Sequence, residues 1–120
     1  MNVTLFESIL KKLRPICLEL PEANEVKSWG HPTFRAGKKS YAVLDEYDGV
    51  LGLSLKVGLD RRDALLADKR FCQTPYCGHL GWVTLKLDSR IDWKLVRRLV
   101  EDSYRLVALK RMLQALDMRA

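Results

Sequence analysis

Soft metal ligands are scarce in this chain: two histidines and three cysteines among 120 residues. Zinc sites want four ligands, usually with cysteine pairs two to four residues apart. The nearest set here is Cys72, Cys77 and His79, spaced C-x4-C-x-H, with only His31 left to complete it. We expect no metal site and no cofactor, and the thiols read instead as small hydrophobes. Odd, sparse cysteines fit a reducing compartment better than a disulfide framework. No apolar run approaches the roughly 20 residues needed to span a bilayer. The opening MNVTLFESILKK lacks a cationic segment followed by an apolar core, so no signal peptide is expected. Repeats, linkers and low-complexity runs are missing, and the seven glycines form no phosphate-binding pattern. Together these absences point to one soluble, cytoplasmic domain over residues 1–120, with no membrane partner.

What is present is apolar patterning and an uneven charge. Residues 1–60 carry eight basic and eight acidic side chains; residues 61–120 carry thirteen and seven, so the whole net charge of +6 sits in the second half. A basic half favours an acidic partner, nucleic acid first, although such a charge also serves solubility alone.

Thr4 to Glu7 matches a capping box ahead of a helical run: Leu5, Phe6, Ile9, Leu10, Leu13, Ile16, Cys17 and Leu20. Pro15 should kink this helix or start a second segment, and the helix should stop before Pro21. Strands are expected at Glu25–Trp29, Thr33–Arg35, Ser40–Glu46 and Val50–Val57, with turns at 36–39 and at Asp48-Gly49. Alternation puts Tyr41, Val43 and Asp45 on one face of their strand and Ala42, Leu44 and Glu46 on the other. Leu51, Leu53 and Leu55 form a buried face; Gly52, Ser54 and Lys56 form an open one. Asp60 is expected to cap a helix through Leu66. Residues 71–81 read as irregular, and 82–87 as the last strand. A second capping box, Ser89 to Asp92, should open a helix over about 92–109. Its apolar stripe is Val96, Leu99, Val100, Ser103, Leu106 and Val107, facing away from Lys94, Arg97, Arg98, Glu101 and Arg105. Beyond it, Lys110 falls on the stripe, so the helix either extends or bends there. The order is helix, three or four antiparallel strands, helix, one or two strands, helix, with the sheet packed against helices: the α+β class.

Four stretches occur in a telling order: WGHPTFRAGKKSYAVL, LGLSLKVGLDRRDALL, GHLGWVTLKLD and EDSYRLV. Together, from about Ile16 to Leu109, they resemble the MmcQ/YjbR family of small bacterial proteins. The resemblance implies an α-β-β-β-α-β-β-α fold similar to type III secretion chaperones. Family members are commonly labelled DNA-binding, and the resemblance carries no agreed catalytic residues.

Two functional readings follow. The first is a non-enzymatic module for double-stranded DNA, weak or nonspecific. It uses Lys38 and Lys39 at a hairpin tip, Arg61 and Arg62 in the second helix, and Lys94, Arg97, Arg98 and Arg105 on the long helix. Pairing of Glu101 with Arg105 and of Asp102 with Arg98 would partly neutralise that face. The second is a chaperone-like module for a protein or small ligand, built on a patch of Trp29, His31, Tyr41, His79 and Trp82. Trp29 and Trp82 serve either as core or as stacking residues. His31, held extended by Pro32, either packs on the Trp29 indole in a rigid turn or lines a ligand edge. An enzyme is not expected. A thiol with His31 or His79 has no third, orienting group in view, and the neighbours Asp45-Glu46 and Glu101-Asp102 read as solvated charge.

Overall fold

The computed structural model describes residues 3–47, 49–75, 77–88 and 90–119. Six strands form one antiparallel sheet in the order β1-β2-β3-β4-β6-β5. They are β1 (Ala23–Ser28), β2 (His31–Ala36), β3 (Lys39–Tyr47), β4 (Val50–Lys56), β5 (Phe71–Gln73) and β6 (Trp82–Lys86). The helices are α1 (Val3–Leu18), α2 (Leu59–Leu66), α3 (Trp93–Val107) and α4 (Lys110–Asp117). The fold is therefore α+β, as expected. It has a fourth strand before α2 and a fourth helix that the α-β-β-β-α-β-β-α pattern lacks.

The core lies between the sheet and its helices. Ile9, Leu10, Leu13, Ile16 and Cys17 of α1 and Val96, Leu99, Val100, Tyr104 and Val107 of α3 meet Phe34, Ala42, Leu44, Leu53, Leu55, Val83 and Leu85 of the sheet. Among the described residues no helix is long and apolar enough to cross a membrane.

Several boundaries differ from expectation for identifiable reasons. Helix α1 runs through Pro15 as one element and already includes Val3, so Thr4 sits inside its first turn rather than at its cap. Helix α2 starts at Leu59 behind Gly58, whose φ of 88° turns the chain, so Asp60 lies in the first turn and caps nothing. Asp92 caps α3: its carboxylate accepts from the Lys94 and Leu95 amides. Ser89 and Asp48, both named in turn or cap motifs, lie outside the described residues. On α3, Leu106 is exposed and Tyr104 takes its place in the core, because the long ring reaches the Tyr41 ring edge-on and its hydroxyl donates to the Pro21 carbonyl at 2.6 Å. The helix ends at Val107; Ala108 and Leu109 are extended and α4 begins anew, so the chain bends at Lys110 instead of extending. The 71–81 segment is not wholly irregular. Phe71–Gln73 pairs with β6, and Gly78–Leu80 makes a 3-10 turn. A three-residue strand held by distant partners leaves no local period to read.

The most consequential irregularity is in β3. Phe34 pairs with Ala42 but Arg35 pairs with Ser40, so Tyr41 is an extra residue, a β-bulge. A bulge shifts the side-chain alternation by one position, which sends Tyr41 to the helix side while Val43 and Asp45 face away. Tyr41 is fully buried. Its hydroxyl donates to the Cys17 carbonyl at 2.8 Å, and burial pushes both this phenol and the Cys17 thiol well above their ordinary pKa values.

Candidate functional site

The side of the sheet away from the helices is where chemistry-bearing residues converge. The strand register lays a row straight across all six strands: Val26, Thr33, Val43, Ser54, Thr84, Cys72. Three hydroxyls in and beside that row are joined. Thr84 Oγ1 lies 2.9 Å from both Ser54 Oγ and Thr74 Oγ1. Ser54 and Thr74 are thereby buried, so the face of β4 expected to be open is half roofed by the segment after β5. Gly52 belongs to the same face, and a Cβ there would lie 2.5 Å from the Thr84 methyl, so only glycine lets that threonine sit flat.

One end of this face is an open depression of about 570 Å³. Trp29, His31 and Trp82 line it together with Thr33, Val43, Asp45, Ser54 and Cys77. A second depression of about 310 Å³ continues past Asp45, Ser54 and Pro75 toward Cys72 and Lys86. The two share those three residues and so form one surface across the sheet.

Trp29 dominates the rim. It occupies, with Gly30, the two-residue turn between β1 and β2, closed by the Ser28–His31 pair. Trp29 has φ 53° and Gly30 φ 82°, the double positive geometry of a type I′ hairpin turn. Asn-Gly is the usual occupant; a bulky residue in the left-handed region costs roughly 1–2 kcal/mol. The indole is 95% exposed, so the turn does not hide it and His31 is not packed against it as a rigid core contact.

His31 instead turns to β3. Its Nδ1 lies 3.0 Å from Asp45 Oδ1, and that oxygen also accepts from the Glu46 amide at 2.6 Å. Asp45 is thus engaged, not simply solvated, and His31 has the orienting partner that its sequence neighbourhood did not reveal. Among the described residues no hydrogen bond joins a thiol to either imidazole, and no three His, Cys, Asp or Glu side chains converge on a metal-sized site.

Of the expected aromatic patch, then, Trp29, His31 and Trp82 come together. Tyr41 does not belong to it, because the bulge places it behind the sheet in the core. His79 is exposed on the 3-10 turn and is not part of the lining. Sequence reasoning missed Thr33, Ser54, Thr74 and Thr84. For Thr33, Ser54 and Thr84 the signal was available as alternation on β2, β4 and β6, but only pairing shows that they stand in one row; Thr74, just after β5, had no such signal.

The expected basic groups are dispersed. Arg61 pairs with Asp102 at 3.3 Å, displacing the anticipated Arg98–Asp102 pair. Arg62 reaches Asp63 and the Gly78 carbonyl, and Arg97 reaches Glu19. Arg105 takes Glu101, as anticipated, and also Asp117. Lys38 and Lys39 stand exposed at the β2–β3 turn, near the Tyr41–Tyr104 end of α3. Lys94 is in the first turn of that 15-residue helix, so about 15 Å of helix separates it from Tyr104.

Comparison with known proteins matches the family model described as YjbR to residues 18–106. Among solved structures the chain is similar to a Deinococcus radiodurans protein carrying a DUF419 domain: 28% identity, TM-score 0.71, covering 90% of this chain and 87% of that one. It shares the fold of a Pseudomonas syringae protein at 21% identity and TM-score 0.62, covering 88% of this chain and 98% of that one. No curated protein matches the chain.

Proposed function

The chain belongs to the YjbR family, and we propose that it is a cytoplasmic, non-enzymatic binding module that holds a small ligand with a flat ring on the open face of its sheet. One observation supports this above the others: Trp29 is displayed at 95% exposure in a backbone conformation unfavourable for it. Burying a large apolar side chain is worth about 2–3 kcal/mol, and relaxing the turn with asparagine or glycine would save more. A protein that forgoes both keeps an indole available for stacking. The rest of the depression suits that use. Its volume of about 570 Å³ is in the range of small-molecule sites, its walls are partly apolar, and Asp45 and the hydroxyls of the floor offer directional hydrogen bonds.

Duplex DNA is the weaker reading. Four of its eight candidate groups, Arg61, Arg62, Arg97 and Arg105, are already bonded within the fold. Phosphate binding also favours cations that share a surface, and Lys38-Lys39 and Lys94 sit toward opposite ends of α3.

The test is calorimetric titration with indole, adenosine and benzoate, repeated on Trp29→Ala and Asp45→Asn. Saturable binding of a ring compound that both variants weaken supports the reading. Absence of binding by all three, alongside salt-sensitive binding of a random duplex, would replace it with the DNA reading.

A further inference from the structure

Asp45 and Glu46 are adjacent on β3 and point to opposite sides of the sheet. Asp45 belongs to the open face; Glu46 lies on the helix side, opposite Leu51 of β4. There it lines a separate cavity of about 530 Å³ at the end of the sheet where α1 meets β1 and β2. Its Oε2 is fully buried and has no hydrogen-bond partner among the described residues. Burying a carboxylate oxygen without a donor is costly, and native structures usually supply one.

None of the described wall groups bonds to it, and His31, which also lines the cavity, turns its Nδ1 to Asp45. Phe6 and Leu10 of α1 are apolar, and Pro32 has no N–H. Arg14, the one guanidinium lining the cavity, is held by both oxygens of Glu25, at 2.8 and 3.1 Å. Lys27 lines the cavity but forms no ion pair among the described residues. We propose that this cavity is a second ligand site that takes an organic ammonium, its charged head on Glu46 Oε2 and its apolar chain along Phe6 and Leu10. An ammonium supplies the missing donor with a compensating charge, and the aliphatic body replaces water on the apolar wall. An anion would face the Glu46 carboxylate and could pair only with Lys27 on the exposed wall, and an uncharged alkane would leave Oε2 unpaired. The inference goes beyond the open-face reading and is read out by different residues, so the two fail separately.

The experiment is a titration of the folded protein with hexylammonium, with hexanol as the uncharged control, followed by backbone amide shifts in nuclear magnetic resonance. The expected result is saturable shifts at Phe6, Leu10, Gly30 and Glu46, with hexanol weaker by about tenfold or more. Glu46→Gln, nearly isosteric, should weaken hexylammonium by a similar factor while its spectrum confirms the fold. Lys27→Ala should tighten binding by removing a competing cation. Shifts equal for hexylammonium and hexanol, or unchanged affinity in Glu46→Gln, would overturn the proposal. Binding seen only in Lys27→Ala would overturn it too, by showing that Lys27 itself closes on Glu46 in solution.

Discussion

The hydroxyl of Ser103 donates to the carbonyl of Tyr41 at 2.6 Å. The Ser103 hydroxyl oxygen in turn accepts from the Lys56 amide at 2.9 Å. The β3–β4 register ends at Ala42–Leu55, so Tyr41 and Lys56 are the next pair along, where the bulge interrupts the ladder. A side chain of α3 thus fills the place of a lost strand–strand bond and ties helix to sheet. Ser103→Ala leaves two buried backbone groups unpaired, each at about 1–3 kcal/mol. We expect a loss of about 2–4 kcal/mol in urea unfolding. A loss within experimental error would mean that water or a relaxed backbone replaces the hydroxyl.

Trp29 makes a prediction of opposite sign. Trp29→Asn should raise stability by about 1 kcal/mol, because asparagine tolerates the left-handed region and the lost indole was not buried. The same variant should weaken any ring ligand of the open face. A variant that is less stable than the parent would show that the indole makes contacts in solution, and the argument from its display would fall.

The thiols should divide by reactivity. Cys17 is fully buried, and burial pushes its thiol far above the ordinary value, whereas Cys72 and Cys77 are partly exposed. Since the thiolate is the reacting form, a disulfide reagent should label two cysteines in the native protein and the third only on unfolding. Mass spectrometry of peptides would identify them; prompt native labelling of Cys17 would contradict the core as described.

Acid should loosen α4 first at Glu22. Arg111 donates to both Glu22 oxygens, at 2.8 and 2.9 Å, and this pairing holds the carboxyl below its ordinary value. A carboxyl lowered in the folded state adds stability above its unfolded pKa and loses it as pH falls through the folded one. The pair is exposed, so the effect should be small and screened by salt. Hydrogen-exchange protection in residues 110–117, taken relative to the intrinsic rate at each pH, should fall on acidification below the usual glutamate range, and Glu22→Gln should remove that dependence. Identical pH profiles for parent and variant would assign the tie elsewhere.

Signals carried within one element were legible in the sequence, and those set by a partner element were not. The Leu51, Leu53, Leu55 alternation and the Val96, Leu99, Val100 spacing each lie within one element, and both face the core as expected. Strict alternation puts Tyr41 on the wrong face because the strand carries a bulge. Where the extra residue falls depends on the partner β2, which β3 cannot announce alone. Leu106 fits the helical stripe by hydrophobicity alone, but the reach of Tyr104 to Tyr41 and Pro21 gives Tyr104 that place in the core.

The candidate site was less legible than the fold. Trp29, His31 and Trp82 stood out as residue types, and they do share a depression. Ser54, Thr74 and Thr84 looked ordinary because their meaning lies in two 2.9 Å contacts between residues ten and thirty positions apart.

Apolar periodicity and turn chemistry along the chain were enough to determine an α+β domain with an antiparallel sheet, since both report burial between near neighbours. Only the tertiary structure decided how far the segment after β5 roofs the open face, that Tyr41 turns inward while Trp29 turns out, and that Glu46 lines a cavity. Those outcomes depend on strand register and on which helix covers which face, and both are set by contacts between residues far apart in the chain.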